Sequence, residues 1–301
     1  MSYRISILIL LYNFIFDSPV KGQGNREISL IKKGAVIEKL ADGFGFTEGP
    51  TADFEGNVYF TDQPNNRIMK WNTRGGVITY LAPCGRSNGL FFDKDGFLWA
   101  CADEKNELWK IGPDKKIEVI TGKYNDNSFN GPNDLWISPE GGVYFTDPFY
   151  KRSWWSHSVM PQEKKCVYYL APHDKTVIRV ADDMVQPNGI IGTPDGKVLY
   201  ISDIGENLTW SYHINEDGTL SNKTIFCRVG SDGMTIDCEG NLYLTGDGVT
   251  IFDTKGTQIG NIKIPEKWTS NVCFCDKNRK SLFITASNSI YRIKMKVRGG
   301  Y

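Results

Sequence analysis

The 301-residue sequence predicts an all-β protein, a six-bladed β-propeller. A polar turn followed by a short strand rich in aromatic residues recurs six times, and one Glu, Asn or Asp stands five residues before each turn. The intervals between these six polar residues run from 39 to 55 residues, which is typical of four-stranded propeller blades. In addition, no amphipathic segment carries helix-capping signals.

Each copy of the repeat has a polar turn, with Gly in all but the last, and then alternating apolar and aromatic residues. This pattern indicates a turn that leads into a half-buried strand. The copies are DFEGNVYFTD (53–62), DKDGFLWACA (93–102), SPEGGVYFTD (138–147), TPDGKVLYIS (193–202), DCEGNLYLTG (237–246) and DKNRKSLFIT (276–285). In the second unit the inner strand is expected at 89–93, and the next three at 97–102, 107–111 and 117–121.

The last unit is one strand short. Its second and third strands are expected at 281–286 and 289–297, and we predict that its outer strand is supplied by residues 35–41, at the start of the mature chain. Such closure would join the first and last strands in one blade and leave no free sheet edge. The alternative is a β-sandwich or two small β domains.

Composition excludes several classes of protein. The 35 basic and 35 acidic residues balance, and no basic run exceeds a pair, which argues against a nucleic-acid or anionic-membrane partner. The three His are scattered, which disfavours His-based catalysis. The seven Cys contain no C-x-x-C pair, so we expect small core residues rather than a zinc or redox site.

Residues 1–24 differ from the rest of the chain. Arg4 precedes a 12-residue apolar run at 5–16, and a polar segment follows, which is typical of an export signal. The expectation is a signal at 1–24, a propeller domain at 25–301 and a periplasmic or extracellular location. A hydrophobic first strand or helix is the alternative. No other apolar segment approaches 18 residues, so the mature chain is predicted to have no membrane span.

The six polar residues before the turns are expected to meet at one mouth of the central channel, because the inner strands of a propeller surround that channel. These ring residues are Glu48, Asn88, Asn133, Asn188, Asp232 and Asn271. For Asn88 and Asn271 a repeated turn device is the favoured explanation. It does not explain the carboxylates of Glu48 and Asp232, which would repel each other unless a cation lay between them.

A cation site without His or Cys would use oxygen ligands only. Glu48, Asn133, Asn188 and Asp232 would supply two carboxylates and two amide oxygens, a set that Ca²⁺ and Mg²⁺ prefer and Zn²⁺ does not. Coordination positions left open for water and substrate would be typical of a catalytic metal site.

A series of motifs in a fixed order connects these residues with a known family. The motifs are FTEGP (46–50), YFTDQPNNRIMKW (59–71), SNGL (87–90), FNGPNDL (129–135), VYFTDPFY (143–150), QPNGI (186–190), SDGMTID (231–237) and LFITA (282–286). Over residues 44–293 the chain resembles the senescence-marker-protein/gluconolactonase (regucalcin-like) family, and the bacterial gluconolactonases most closely.

The resemblance implies a six-bladed propeller that hydrolyses a sugar lactone with one divalent cation, with Ca²⁺ the first expectation and Mg²⁺, Mn²⁺ or Zn²⁺ as alternatives. It implies that Glu48, Asn188 and Asp232 hold the cation and that Asp232 is the general acid/base. Asn133 is implied to be a further ligand or a substrate contact. Animal members carry Arg where this chain has Gly131, and bacterial members usually have Ser there. They also usually read Tyr-Gly where this chain has Tyr150-Lys151.

From these residues we predict hydrolysis in which a cation polarises the lactone carbonyl while Asp232 takes a proton from the attacking water and returns it to the ring oxygen. Asn133, Asn130 and Asn88 are the candidate substrate contacts. A Ser-His-Asp triad is disfavoured because no G-x-S-x-G motif is present and no His lies near the ring positions. A non-catalytic, calcium-stabilised binding module and a hydrolase of another ester remain as alternatives.

An insertion at 151–164 lengthens the interval between Asn133 and Asn188. Its Trp154 and Trp155 are expected either to form a lid over the mouth or to pack under a surface loop. His157 is predicted to be a solvated loop residue. Three aspartates that end second strands, Asp62, Asp147 and Asp203, are predicted to be structural turn residues.

Overall fold

The structure, a computed structural model, describes residues 30–301 and consists of six four-stranded antiparallel sheets with a minor two-stranded one. It confirms the six-bladed β-propeller. The only helical segment in this range is a 3-10 turn, Gln63–Asn65, and no helix there has the length and apolar character needed to cross a bilayer. The predicted signal at 1–24 lies outside the described residues.

Strand β1 (Glu38–Asp42) precedes five blades whose strands follow one another along the chain. The first two blades, from the inner strand outwards, are β2–β5 (Thr47–Ala52, Val58–Asp62, Arg67–Trp71, Val77–Leu81) and β6–β9 (Ser87–Phe92, Leu98–Ala102, Glu107–Ile111, Ile117–Thr121). A two-stranded hairpin follows, β10 (Lys123–Tyr124) and β11 (Asn127–Ser128).

The remaining strands complete blades three to six. They are β12–β15 (Leu135–Ile137, Val143–Asp147, Cys166–Leu170, Val177–Ala181), β16–β19 (Pro187–Gly192, Val198–Asp203, Leu208–Ile214, Leu220–Cys227), β20–β23 (Met234–Ile236, Leu242–Gly246, Gly248–Phe252, Gln258–Ile262) and β24–β26 (Thr269–Cys275, Ser281–Ala286, Ser289–Lys294). The predicted strands of the second blade are confirmed to within two residues.

The sixth blade has the order β1–β26–β25–β24, so the first strand of the described chain is its outer strand. β1 pairs antiparallel with β26, from Glu38 opposite Arg292 to Asp42 opposite Ser289. The Arg292 Nη2 and Glu38 Oε2 atoms lie 2.7 Å apart across this pair. The predicted closure is confirmed, although the strand begins three residues later than the sequence indicates.

The inner strands β2, β6, β12, β16, β20 and β24 neighbour one another in a closed ring around a cavity of about 70 Å³. In four blades the register of the inner strand shifts next to its ring residue, as between Glu48 and Thr51 and between Pro187 and Ile190. A bulge re-aims a side chain relative to a regular strand. The side chains of these ring residues therefore need not follow the regular alternation of side chains between the two faces of the strand.

Aromatic contacts between neighbouring blades form much of the core. Phe60 of the first blade and Phe283 of the sixth have ring centroids 5.7 Å apart, and both side chains are fully buried. Tyr243 and Phe274 join the fifth and sixth blades at 5.3 Å with perpendicular rings. Aromatic residues thus help to hold the sixth blade to both of its neighbours.

The three aspartates predicted to be structural, Asp62, Asp147 and Asp203, are confirmed as such. Each is fully buried and accepts hydrogen bonds, at 2.7 to 3.4 Å, from backbone N–H groups two and three residues before the ring residue of its own blade. They therefore fix the path by which the chain enters the inner strand in blades one, three and four.

All seven cysteines lie in the described part of the chain and all are free thiols. Five are buried, Cys273 is partly buried and Cys238 is exposed. Burial raises the pKa of the Cys84 thiol to about 11, which keeps it protonated at neutral pH. The prediction that most cysteines are core residues is confirmed.

Gly49 shows how closely two blades approach at the mouth. Its φ is +46°, and a Cβ atom there would lie 2.1 Å from the backbone oxygen of Asn88 in the next blade. Gly43 has a similar left-handed φ of +85°, but a Cβ there would meet no atom within 4 Å. Substitutions at the two glycines therefore distinguish the cost of a side chain at positive φ, which both share, from the cost of crowding, which arises only at Gly49.

We expect Gly43→Ala to lower the free energy of unfolding by about 1 kcal/mol, because alanine is strained at positive φ. Gly49→Ala should lower it by roughly 1–3 kcal/mol more, because the added methyl group must displace backbone of the second blade. Urea unfolding of both variants and the parent protein measures the difference. Equal losses in the two variants would contradict the close approach of the blades.

Candidate active site

The six ring residues lie at or just before the starts of the inner strands, as predicted. Five are almost completely buried, with exposed fractions of 2 to 5%, and Asp232 is partly exposed. The hydrogen bonds among them divide the ring into two unlike groups, one around Asp232 and one around Glu48.

The first group joins the fourth and fifth blades. Asn188 Nδ2 donates to Asp232 Oδ1 at 2.8 Å and to the Tyr150 hydroxyl oxygen at 2.8 Å. Trp268 Nε1 donates to the other carboxylate oxygen of Asp232 at 2.7 Å. Asn188 Oδ1 is buried and has no hydrogen-bond partner among the described residues. An amide oxygen next to a carboxylate is thus left available for a ligand.

The second group joins the sixth blade to the first. Glu48 Oε2 accepts hydrogen bonds from the Gly49 backbone N–H at 3.0 Å and from Asn271 Nδ2 at 3.3 Å. The same Asn271 nitrogen lies 3.5 Å from Asp134 Oδ2. Asn271 Oδ1 accepts from its own strand, at Val272 N. Asn271 therefore combines the predicted turn function with a bridge between two carboxylates.

Asn88 and Asn133 join the ring through their backbones. Asn133 O accepts from Gly89 N at 2.7 Å, and Asn88 O accepts from Thr61 Oγ1 at 3.0 Å. Neither side-chain amide makes a hydrogen bond within residues 30–301. The amide groups predicted to contact cation or substrate are therefore not engaged elsewhere in the described protein.

Asn130 is placed differently from the prediction. Its side chain is fully buried; Nδ2 donates to Lys164 O at 2.8 Å, and Oδ1 accepts from Gln162 N at 3.0 Å. Both polar ends are thus bonded to the end of the insertion. These contacts make Asn130 an anchor of that loop rather than a substrate contact, which corrects the interpretation from the sequence.

Asp134 is a residue of the mouth that the sequence reasoning missed. It is 7% exposed, lines the central cavity and accepts from Leu135 N at 2.9 Å. The sequence held one signal for it, because Gly follows four of the six ring residues whereas Asp follows Asn133. Tyr150 and Trp268 were also missed, since both lie outside the repeated segments.

Three carboxylic acids share this buried region. Burial, and then the charge of Asp232, raise the pKa of Glu48 well above its ordinary value. Burial raises the pKa of Asp232 to about 6 and that of Asp134 to about 7. None of the three forms an ion pair with a Lys or Arg of the described chain. The mouth therefore groups three acidic side chains for which the neighbouring side chains supply no bonded countercharge, and a cation would favour their ionised forms.

The donor set fits a hard cation. No three His, Cys, Asp or Glu side chains in residues 30–301 converge as a ligand cluster, so a cation would take two carboxylates and complete its shell with neutral oxygens. The unpartnered Oδ1 of Asn188 is one such oxygen. A cation would also relieve the repulsion between Glu48 and Asp232.

The insertion at 151–164 packs against the second blade. Trp155 Nε1 donates to Asp103 O at 2.7 Å, and its ring stacks on His157 with centroids 4.9 Å apart. Trp154 lies against two guanidinium groups, with Arg86 Cζ at 4.6 Å and Arg152 Cζ at 5.4 Å from its ring centroid. Of the two alternatives, the packed loop is observed. His157 is stacked and partly buried, which corrects its prediction as a solvated residue.

Asp103 is the residue of the second blade on which this loop is fixed. Its carboxylate accepts from Arg152 Nε at 3.0 Å and from Gln63 Nε2 at 3.3 Å. Burial raises its pKa to about 6, although the charge of Arg152 acts in the opposite direction.

The chain is similar to known proteins over most of its length. The family profile described as "SMP-30/Gluconolactonase/LRE-like region" matches residues 46–288. A gluconolactonase from Zymomonas mobilis is 31% identical over 302 residues, which covers 90% of this chain and 84% of that protein. The lactonase Drp35 from a strain of Staphylococcus aureus is 28% identical and covers 85% of this chain and 81% of its own length.

Solved structures are similar over the same range. A gluconolactonase from Xanthomonas campestris superposes with a TM-score of 0.83 at 27% identity, covering 89% of this chain and 91% of that one. A calcium-binding protein, regucalcin, from Agrobacterium tumefaciens superposes with a TM-score of 0.75 at 19% identity, covering 88% and 95%. At that identity the second likeness concerns the fold alone.

The raised pKa of Asp103 predicts a pH dependence of stability. Because its pKa in the folded protein lies above the ordinary value of 3.8, its contribution to the free energy of unfolding is present below about pH 4 and is lost as the pH rises through about 6. The difference in unfolding free energy between the parent protein and Asp103→Asn should therefore fall by on the order of 2 kcal/mol between about pH 4 and pH 7.

Urea unfolding at several pH values measures this difference. Asp114→Asn is the matched control, because Asp114 is exposed and Lys116 holds the pKa of its carboxyl below the usual value. Its difference from the parent protein should not fall over the same range. A flat profile for Asp103→Asn would show that Asp103 is ionised in the folded protein throughout.

Proposed function

The chain belongs to the SMP-30/gluconolactonase/LRE-like family, and on that premise we propose that it hydrolyses a sugar lactone at the mouth of the channel. Relatives over most of its length are named gluconolactonase and lactonase, which are carboxylic-ester hydrolases, and the chain is an enzyme of that class. The observation that carries the site assignment is that Asn188 bonds to Asp232 through Nδ2 while its buried Oδ1 has no partner among the described residues, and that the charge of Asp232 also acts on the carboxyl of Glu48.

We propose that Glu48, Asn188 and Asp232 hold one divalent cation, with Asn133 as a fourth ligand or a substrate contact. Ca²⁺ is the proposed ion, because carboxylate and amide oxygens without His or Cys form the set that it prefers. When bound, the cation polarises the lactone carbonyl and stabilises the negative charge that develops on its oxygen. Support for the site comes from the orphaned oxygen of Asn188 and from the uncompensated carboxylates.

Asp232 is proposed to move the proton. It takes one from the attacking water and returns it to the ring oxygen, which leaves as an alcohol when the ring opens. Each of its carboxylate oxygens accepts one hydrogen bond, from Asn188 or Trp268, which orients the group and leaves lone pairs for the water. Burial raises the pKa of Asp232 to about 6, so the group is ionised near neutral pH.

Tyr150 supports the same group. Its hydroxyl oxygen accepts from Asn188 Nδ2, so the phenolic proton is free to be donated to a further acceptor. Burial, followed by the charge of Asp232, raises the pKa of Tyr150 to about 12, so that proton is retained at neutral pH. Tyr150 thereby helps to hold the Asn188 side chain with Nδ2 as its hydrogen-bonded end, which leaves Oδ1 as the amide atom without a partner in the described chain.

Hydrolysis of glucono-δ-lactone and several γ-lactones, with and without a chelator, tests this function. We expect activity to be lost on chelation and restored by Ca²⁺, and Asp232→Asn to lower kcat/KM by about a hundredfold or more, because it removes the proton acceptor. Asp247→Asn is the matched control, since Asp247 lies in the same blade with its side chain 90% exposed.

The control variant should retain the activity of the parent protein. If no lactone is hydrolysed by folded, cation-loaded protein, the lactonase assignment is wrong, and a calcium-stabilised binding module becomes the better description. If activity survives complete removal of metal, the proposed ligand set has no catalytic function.

We also propose that residues 1–24 direct export to the periplasm or the outside of the cell. The support is the apolar run at 5–16 between Arg4 and a polar segment. Protein recovered from its native cells should begin at about residue 25, and N-terminal sequencing of the periplasmic or secreted fraction measures this. Recovery of full-length protein from the cytoplasm alone would contradict it.

A further inference from the structure

The insertion at 151–164 brings one charged side chain, Arg152, to the edge of the mouth. Its Cζ atom lies 5.4 Å from the ring centroid of Tyr150, the residue whose hydroxyl bonds to Asn188. Asn188 in turn donates to Asp232, so the Tyr150 and Asn188 side chains connect Arg152 with the proposed catalytic group. Arg152 therefore borders the side chains that surround Asp232, where a bound substrate would lie.

Only one nitrogen of the Arg152 guanidinium group is hydrogen-bonded within the described residues. Nε donates to Asp103 Oδ2 at 3.0 Å, and the group lies against the rings of Tyr150 and Trp154. Its two terminal nitrogens, Nη1 and Nη2, donate no hydrogen bond within the described residues. With its side chain 21% exposed, Arg152 presents spare N–H donors that are oriented in advance.

The loop that carries Arg152 is itself fixed in place. Gln162 Nε2 donates to three backbone oxygens, at 2.9 to 3.1 Å, and the amide of Asn130 binds the loop at Gln162 and Lys164. On the other side, Trp155 is bonded to Asp103 O. Arg152 is thus part of a built wall of the mouth rather than of a freely moving chain.

Gly131 explains how the loop comes so close. Its φ is +143°, and a Cβ there would lie 2.8 Å from Trp155 Cη2 and 2.9 Å from Asp103 Oδ1. A side chain at 131 would therefore displace either the tryptophan or the carboxylate that holds Arg152. The glycine and the insertion form one arrangement, in which position 131 supplies no polar group and the loop supplies a guanidinium.

We propose that Arg152 determines substrate specificity by donating hydrogen bonds to hydroxyl groups of the lactone ring away from the ester, so that hydroxylated lactones are preferred over unsubstituted ones. This inference rests on the proposed lactonase function. A guanidinium with two unused amino groups suits adjacent hydroxyl oxygens, because its donors diverge in one plane. An unsubstituted lactone of the same ring size offers these donors no partner.

The test compares glucono-δ-lactone with δ-valerolactone in the parent protein, Arg152→Met and Arg152→Lys. Arg152→Met should lower kcat/KM for glucono-δ-lactone by about 10- to 100-fold, mainly through KM, as expected for lost hydrogen bonds from a charged donor. Its kcat/KM for δ-valerolactone should stay within about twofold. For Arg152→Lys, kcat/KM for glucono-δ-lactone should lie between the values of the parent protein and Arg152→Met, because lysine keeps the charge but lacks the planar guanidinium group.

Two controls separate this role from a structural one. Lys151→Met removes an exposed positive charge one residue away and should leave the ratio of the two lactones unchanged. Trp155→Phe removes the hydrogen bond to Asp103 O and tests loosening of the loop. If Arg152 only fastened the loop, Arg152→Met would lower kcat/KM for the two lactones by the same factor. Arg152→Lys would then restore kcat/KM for both. That result would overturn the proposal.

A binding measurement keeps the inference independent of turnover. Calorimetry with D-glucono-δ-lactam, which resists hydrolysis, should show at least tenfold weaker binding to cation-loaded Arg152→Met than to the parent protein. The unsubstituted δ-valerolactam serves as the probe without hydroxyl groups, and its affinity should be the same for both. If the parent protein hydrolyses no lactone but shows this difference in affinity, the lactonase function is wrong. The proposed contact between Arg152 and the hydroxyl groups of the ligand is then still supported. Equal binding of the glucono-lactam to both proteins, or no binding to either, would overturn it.

Discussion

The close approach of the six inner strands at one mouth of the channel is the constraint on which the rest of the structure depends. Neighbouring blades are joined there by hydrogen bonds to the backbone of the ring segments, such as Thr61 to Asn88 O and Ser270 to Thr47 O. These bonds place six ring residues around one axis. The proposed site and the closure of the ring therefore draw on the same segments, and the spacing of the blades sets the distances between the ring residues.

That geometry has an electrostatic cost. Glu48, Asp134 and Asp232 are brought together in a region where burial raises the pKa of each. Within the described chain the amides of Asn188 and Asn271 satisfy part of this charge. The proposed cation would offset this cost, and the stability of the mouth would then depend on the cation concentration.

The repeat predicted the six blades and their closure because both depend on local alternation and on period, which a single sequence displays. The ring residues followed from the same period. The partners across the mouth did not, since Trp268 and Tyr150 reach it from segments outside the repeat. Asn130 was misread for a related reason: it is near Asn133 in sequence, but its amide is committed to a loop more than thirty residues away.

The closure of the sixth blade has a consequence for the order in which the chain folds. Glu38 and Arg292, which face each other across β1 and β26, are 254 residues apart in sequence. During synthesis each of the first five blades can form as its own strands emerge, whereas β1 waits until the last hairpin has been made. Such long-range pairing slows folding, and until it forms, the outer edge of β26 is open to strands of other molecules. Closure of the sixth blade is thus the folding step that removes an exposed strand edge from the ring.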